Sequence, residues 1–286
     1  MGLNDMDTWR FLPLQVNDAF TNMAIDEAIL ESRIQGKTPN TLRFYRWNPS
    51  AVSIGRFQSV EKEVNLDVCK QMGIDFVRRV SGGGAVYHDF TRELTYSVVV
   101  DCGNERITTD VLTSYKGVCD GILKGLASLG VDVELEAADP SQRCPNIMIN
   151  GRKVSGNAQA RRKGVLLQHG TVLIDLDIQT MLKVLRNPKL IMNETIVEFV
   201  RNRITTLNRE LKREVAFEEV ATAMRKGFSE AFGISLPEGY LTTTEVDLAR
   251  ELKTARYGSN TWNYGAPQAS GESASCFNPQ ASTGES

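Results

Sequence analysis

Three segments of the chain concentrate residue types that can stabilise charge. The first is Arg78-Arg79-Val80-Ser81-Gly82-Gly83-Gly84-Ala85-Val86-Tyr87-His88-Asp89. Three consecutive glycines after a strand-like run cost conformational entropy and weaken a strand. Their N–H groups can form an anion-binding nest, and the two arginines upstream can grip a phosphate bidentately. Together these features suggest a phosphate or adenylate cradle, although a glycine triplet by itself also makes a tight turn. The spacing fits neither a Walker A loop nor a Rossmann fingerprint. The second segment, 151–159, carries Lys153 among small residues. Strand alternation puts Lys153 and Ser155 on one face, with Arg152 and Val154 opposite. A lysine fixed in this way is a compact point charge, able to hold carbonyl and phosphate oxygens as negative charge develops. In an ordinary hairpin it would simply be solvated. The third feature is histidine usage. The chain has two histidines, His88 and His169, each beside a glycine-containing strand-like segment. Both a structural hydrogen bond and direct proton transfer suit them, and without supporting Cys or carboxylate spacing they make no metal site.

The elements that must position these residues read as a mixture. Phe20, Met23, Ala24, Ala28 and Ile29 recur at helical spacing after Asn17-Asp18, which predicts a capped amphipathic helix over 19–34. Strands are expected over 41–47, 51–57, 75–80, 93–100, 131–136, 147–149, 152–154 and 165–175. Helices are expected over 65–72, 108–129, 178–186, 217–232 and 244–255. Antiparallel-looking strands with intervening helices argue for an α+β fold. The stretch 266–286 is rich in Gly, Ser, Ala and Pro and reads as a disordered low-complexity tail.

Composition sets outer bounds. The 286 residues are 41% hydrophobic and 24% charged, with a formal net charge of -2, so a sizeable core is available. That balance offers no bulk attraction for nucleic acid or an anionic membrane. Basic residues cluster locally at Arg78-Arg79 and Arg161-Arg162-Lys163, where a local anion is conceivable. Five scattered cysteines without a CxxC pair argue against a zinc site or disulfide framework and suit a reducing cytosol. The polar N-terminus lacks an apolar signal core and no apolar run approaches a membrane span, so the expected location is cytoplasmic.

Taken in order, the three segments resemble the lipoate–protein ligase family of the biotin/lipoate ligase superfamily. Residues 78–89 look like its lipoyl-adenylate loop, 151–159 like the segment holding its key lysine, and Gln168-His169-Gly170-Thr171-Val172-Leu173 like its third motif. Asn22-Met23-Ala24-Ile25-Asp26-Glu27, Arg43-Phe44-Tyr45-Arg46-Trp47 and Trp262-Asn263-Tyr264-Gly265 add to the match, which spans roughly residues 8–265. The resemblance implies an α+β catalytic domain over 8–265 with a central, mostly antiparallel sheet and a bent acyl tunnel. It implies ATP-dependent, Mg²⁺-assisted ligation of lipoate through lipoyl-AMP to a carrier lysine. Lys153 would be catalytic, bridging the acyl carbonyl and the α-phosphate. Arg79, Gly82, Gly83, Gly84, Ala85, Val86, Tyr87 and His88, with Asn146 and His169, would line the nucleotide and acyl site. Pro145-Asn146 stands where many members have Asn-Asp. Acceptors would be lipoyl domains of 2-oxoacid dehydrogenases or a glycine-cleavage carrier protein. Only the low-complexity tail follows the Trp-Asn-Tyr-Gly segment, as in bipartite ligases, so a separate accessory subunit is expected.

A rival within the superfamily is a cysteine-dependent octanoyltransferase, which forms a thioester on a Cys and needs no ATP. Cys144, nine positions before Lys153, is its candidate nucleophile. Such a cysteine needs a lowered pKa, towards which Arg143 and Lys153 would contribute. The nearest such family places its cysteine further upstream, so an incidental Cys144 is the competing reading. A non-catalytic lipoate-binding scaffold, in which Lys153 would be dispensable, fits the intact motifs poorly.

Overall fold

The computed structural model describes residues 8–103, 107–136, 144–186 and 194–265. The expected tail over 266–286 and Arg143 lie outside the described residues.

Among the described residues there are ten strands: β1 (Trp9–Asn17), β2 (Asn40–Trp47), β3 (Ala51–Ile54), β4 (Asp75–Arg78), β5 (Val86–His88), β6 (Glu93–Asp101), β7 (Val133–Leu135), β8 (Ile147–Ile149), β9 (Arg152–Arg162) and β10 (Val165–Leu173). Seven form one sheet in the order β1-β2-β6-β10-β9-β8-β7, and three form a second in the order β4-β3-β5. In the large sheet β1 and β2 are parallel and every other neighbouring pair is antiparallel. This is the α+β architecture expected from the sequence.

The central strands β2, β6 and β10 are buried almost throughout because helices cover both faces. Leu42, Phe44, Val98, Val100 and Leu166 join one core with the helices Val111–Ala127 and Phe217–Phe232. Tyr45, Trp47, Val99, Val165 and Leu167 join the other with α1 (Ala19–Ile34) and the helix Thr243–Leu252. Alternate residues of each strand therefore feed opposite cores, and such strands read as near-continuous apolar runs. The Asp18 side chain accepts the Thr21 N–H at the start of α1, a cap worth about 1 kcal/mol.

Several strands differ from the sequence reading: β5 was not anticipated and β3 stops at Ile54 rather than 57, and β1 and β9 differ as well. β1 was not anticipated, because Pro13 interrupts it. It lies at the sheet edge with a register shift between Leu12 and Gln15, where a proline and a bulge are tolerated. β9 runs to Arg162 rather than ending at 154, carrying Gly156 within it. The reason for that glycine lies in the site, described below. Among the described residues no helix is long and apolar enough to cross a membrane.

The helices Val111–Ala127 and Phe217–Phe232 approach closely at glycines. A Cβ at Gly227 would fall 2.2 Å from the Gly125 nitrogen and 2.3 Å from the Gly121 oxygen, so only backbone could relieve it. We expect Gly227→Ala to cost ~1–3 kcal/mol by overpacking, lowering the thermal midpoint by about 2–4 °C per kcal/mol. Calorimetry would read the shift, and an unchanged midpoint would refute the packing account.

Candidate functional site

Residues from both sheets enclose a cavity of about 300 Å³, room for a small organic ligand. Met23, Tyr45, Trp47, Leu173, Met181, Leu185 and Ile204 supply apolar wall, while Arg79, Cys144, Asn146, Lys153, Asn157 and His169 supply polar groups.

Lys153 is pinned through its backbone. Its N–H donates to the Arg203 carbonyl at 2.8 Å, and its carbonyl accepts from the Thr205 N–H at 2.9 Å. The pairing of β8 with β9 shifts between Ile147 and Met148, which face Ser155 and Lys153 respectively. Val154 is therefore an extra residue that breaks the simple alternation expected along this strand. The lysine tip lies over Gly156, where a Cβ would fall 2.7 Å from Nζ. Gly156 thus makes room for the amine, and this overrides the poor strand propensity of glycine. The amine has no hydrogen bond or ion pair among the described residues. Burial pushes the Lys153 ammonium down from its ordinary value, with Glu136 and Cys144 opposing the shift.

Arg79 is 5% exposed, and every N–H of its guanidinium has an acceptor. Nε donates to Ser81 Oγ at 3.1 Å, and Nη1 to the Ser53 carbonyl and hydroxyl oxygens at 3.2 and 3.1 Å. Nη2 donates to the carbonyls of Gly82 and Gly84, both at 2.7 Å. The guanidinium therefore folds the glycine loop around itself, and of the three glycines Gly83 takes a positive φ, 87°. Burial pushes the Arg79 guanidinium down to about 10, so it is cationic at neutral pH. Arg78 is equally committed: it donates to the carbonyls of Gly55, Arg56, Gln58, Trp262, Asn263 and Gly265. Neither arginine presents the spare fork that a phosphate grip needs.

Behind Arg79 lie the two histidines, both buried. His169 Nε2 is 2.6 Å from Ser81 Oγ, and its Nδ1 is 3.2 Å from Asp26 Oδ2. His88 Nε2 is 2.8 Å from Ser53 Oγ, and its Nδ1 is 2.6 Å from Glu93 Oε1. Trp47 stacks on His88 at 4.0 Å. Asp26 also accepts from Arg43, Tyr45 and Ser97. Burial lowers the His169 pKa, outweighing the opposing pull of Asp26. For Asp26 burial is the largest influence and raises it, yet the His169 hydrogen bond, Arg43 and Ser97 together hold it below its ordinary value.

Of the four described cysteines, Cys69, Cys102 and Cys119 are buried, and burial pushes the last up to about 12. Cys144 is half-buried and lines the cavity with Lys153 and Arg79. Its sulfur is 3.0 Å from the Tyr115 hydroxyl. A negative charge there favours the cationic forms of both Arg79 and Lys153.

The structure thus brings Lys153, Arg79, Gly83, Gly84, Ala85, Val86, Tyr87, His88, Cys144, Asn146 and His169 to one cavity, with the Gly82 carbonyl beside it under Arg79. Arg161 and Arg162 serve other ends: Arg161 donates to the Thr109 carbonyl and Arg162 to Glu27 and Glu31. Glu93, Ser53, Glu136 and Tyr115 were not singled out from sequence, and Asp26 and Ser81 stood there only as members of longer motifs with no role of their own. Asp26, a carboxylate on the buried side of an apolar helix, was the one with a legible signal. Among the described residues no cluster of His, Cys, Asp and Glu could hold a metal ion.

The profile of the lipoyl protein ligase A/B catalytic domain matches residues 18–229. An octanoyltransferase LipM of Brevibacillus brevis is 36% identical, covering 90% of this chain and 99% of its own. The octanoyltransferase LipM of Symbiobacterium thermophilum is 40% identical, covering 89% and 97%. A solved bipartite lipoate protein ligase from Thermoplasma acidophilum superposes with a TM-score of 0.79 at 31% identity, covering 92% and 99%. The names of the two LipM relatives overturn the expectation of ATP-dependent lipoate ligation and of a ligase class. In the same direction, the arginine pair expected to grip phosphate has its donors committed within the protein.

The lowered His169 pKa carries a stability consequence. Between its folded value and the ordinary 6.5, the unfolded chain binds more protons. The His169 contribution is therefore complete above pH 6.5 and is lost as pH falls below it. Urea midpoints measured from pH 7.5 to 5 should fall, and fall less in His169→Gln. Parallel curves for the two proteins would refute this.

Proposed function

The chain belongs to the lipoyl protein ligase A/B catalytic-domain family, and we propose that within it this protein is an octanoyltransferase working through a Cys144 thioester. One observation carries the reading: a half-buried cysteine opens onto the same apolar-walled cavity as two cations, Lys153 and Arg79, that no carboxylate contacts among the described residues. Opposite charge nearby favours the thiolate, the nucleophilic form.

The Cys144 sulfur attacks the carbonyl carbon of an octanoyl thioester on a donor carrier. The new C–S bond places negative charge on the carbonyl oxygen, where the Lys153 ammonium stabilises it. Collapse expels the donor thiolate, which takes up the proton that Cys144 gave. The neutral ε-amine of an acceptor lysine then attacks the enzyme thioester. A C–N bond forms, the C–S bond breaks, and the amine proton returns to the sulfur. No step consumes ATP or Mg²⁺, so an accessory adenylation subunit has no part in this reading. The acceptors are lipoyl domains of 2-oxoacid dehydrogenases or a glycine-cleavage carrier protein. An apolar wall discriminates weakly between octanoyl and lipoyl chains. In this reading the catalytic unit is 8–265, and the reaction suits a reducing compartment such as the cytoplasm, where the thiol stays reduced.

Transfer from an octanoyl carrier to a lipoyl domain, followed by mass spectrometry, tests the reading. It should proceed without ATP and fall by ~10³-fold or more in Cys144→Ala, with the acyl-enzyme mass missing. Full transfer by Cys144→Ala would sink the proposal. Lys153→Ala should lower kcat by ~10²–10³-fold, the usual cost of losing one oxyanion-stabilising group.

Gly156→Ala gives a separate check on geometry. The flexible lysine tip can move aside, so stability should change by less than ~1 kcal/mol. The displaced charge should still cost about 10-fold or more in kcat. Wild-type kcat in that variant would mean that the amine's position is unimportant.

A further inference from the structure

The hydrogen-bond inventory around Arg79 decides what the two histidines do. A guanidinium can only donate. Ser81 Oγ therefore accepts from Arg79 Nε, and Ser53 Oγ accepts from Nη1. Each hydroxyl hydrogen then has one acceptor left among the described residues: His169 Nε2 for Ser81, at 2.6 Å, and His88 Nε2 for Ser53, at 2.8 Å. For both hydroxyls to be satisfied, each Nε2 must accept. Each Nδ1 must then carry the hydrogen and donate it, His169 to Asp26 and His88 to Glu93. Both serines are buried, and a buried hydroxyl left without an acceptor costs about 1–3 kcal/mol.

We propose that Ser53 and Ser81 are positioning residues of the transfer site, each passing a one-way chain of donated hydrogen bonds from Arg79 through a neutral Nδ1–H histidine to a carboxylate. The histidines are thereby acceptors that orient the guanidinium, not groups that exchange protons with substrate. The two chains leave one cation, Arg79, and end on two carboxylates, Asp26 and Glu93. Donation in a single direction polarises successive bonds cooperatively. They grip adjacent sides of the guanidinium, on Nε and Nη1, and leave Nη2 to hold the Gly82 and Gly84 carbonyls. The kinetic part of this proposal rests on the octanoyl-transfer reading; the tautomer part does not.

The chain has two histidines, so full-length protein labelled with ¹⁵N-histidine gives two ring systems, and His169→Gln assigns them by removing one. At neutral pH both rings should show a protonated Nδ1 and an unprotonated, accepting Nε2. An Nε2–H tautomer or an imidazolium in either ring would overturn the proposal for that arm. In kinetics, Ser53→Ala and Ser81→Ala should each lower kcat about 10-fold with KM changed less than about 2-fold. In an Arg79→Lys background the same serine substitutions should change kcat less than about 2-fold, because their common target is gone. Equal penalties in both backgrounds would overturn the positioning role. Should octanoyl transfer not be found, the wild-type ring spectra still decide the tautomers, so the two readings fail separately.

Discussion

Arg79 carries a positive charge into the interior without touching a carboxylate among the described residues. Desolvating such a group costs several kcal/mol, so the surrounding chain must compensate. It does so with a complete set of acceptors, and hydrogen bonds to charged groups contribute about 1.5–3 kcal/mol each. The groups that supply them come from β3, the glycine loop and the turn after β4, with β5 and β10 standing one bond further back and β6 and α1 one bond beyond those. The counter-charges, Asp26 and Glu93, are separated from the guanidinium by a serine and an imidazole. A direct ion pair would spend the cation's field locally. Holding the anions back leaves that field for the cavity.

The same economy of contact governs Lys153. Its backbone is fixed by the segment 203–205, yet its ammonium is left without a partner among the described residues, over a strand glycine. Glu136 stands nearby but bonds the Asn146 amide at 2.5 Å and so orients that side chain toward the cavity. Two cations, neither neutralised by contact, therefore share one hollow with a sulfur and an apolar wall. Such a place suits an acyl group whose carbonyl oxygen becomes negative for an instant and whose tail is hydrocarbon. The two arginines, by contrast, have their donors committed within the protein and hold no spare fork for a phosphate.

Much of this was legible in the sequence. Lys153 among small residues, the glycine run and the two histidines all stood out because residues of those types are out of place for packing alone. The apolar periodicities located α1 and the helix Phe217–Phe232 within a residue. What could not be read was connection. Asp26 and His169 lie 143 residues apart, and Ser81 and His169 lie 88 apart. No local pattern announces such pairs. Arg78 and Arg79 misled for a related reason: composition shows a charge but not whether its donors are already used. Between ligase and transferase the motifs favoured the ligase and kept the transferase as the alternative; the LipM relatives reverse that order, because the two readings share every motif quoted and were separated in the sequence only by Cys144.

The short helix Asn260–Tyr264 bonds back to Arg78, which donates its backbone N–H to the Asn263 side chain 185 residues downstream, while the Trp262 indole donates to the Arg78 carbonyl. That helix thus holds the residue that precedes Arg79. During synthesis, domains acquire structure as the chain emerges, yet contacts of this sequence separation close late. A nascent chain stopped before residue 265 could collapse about its sheet and still lack the platform on which the glycine loop rests. The setting of the glycine loop is thus tied to residues 262–265, which leave the ribosome long after the loop itself.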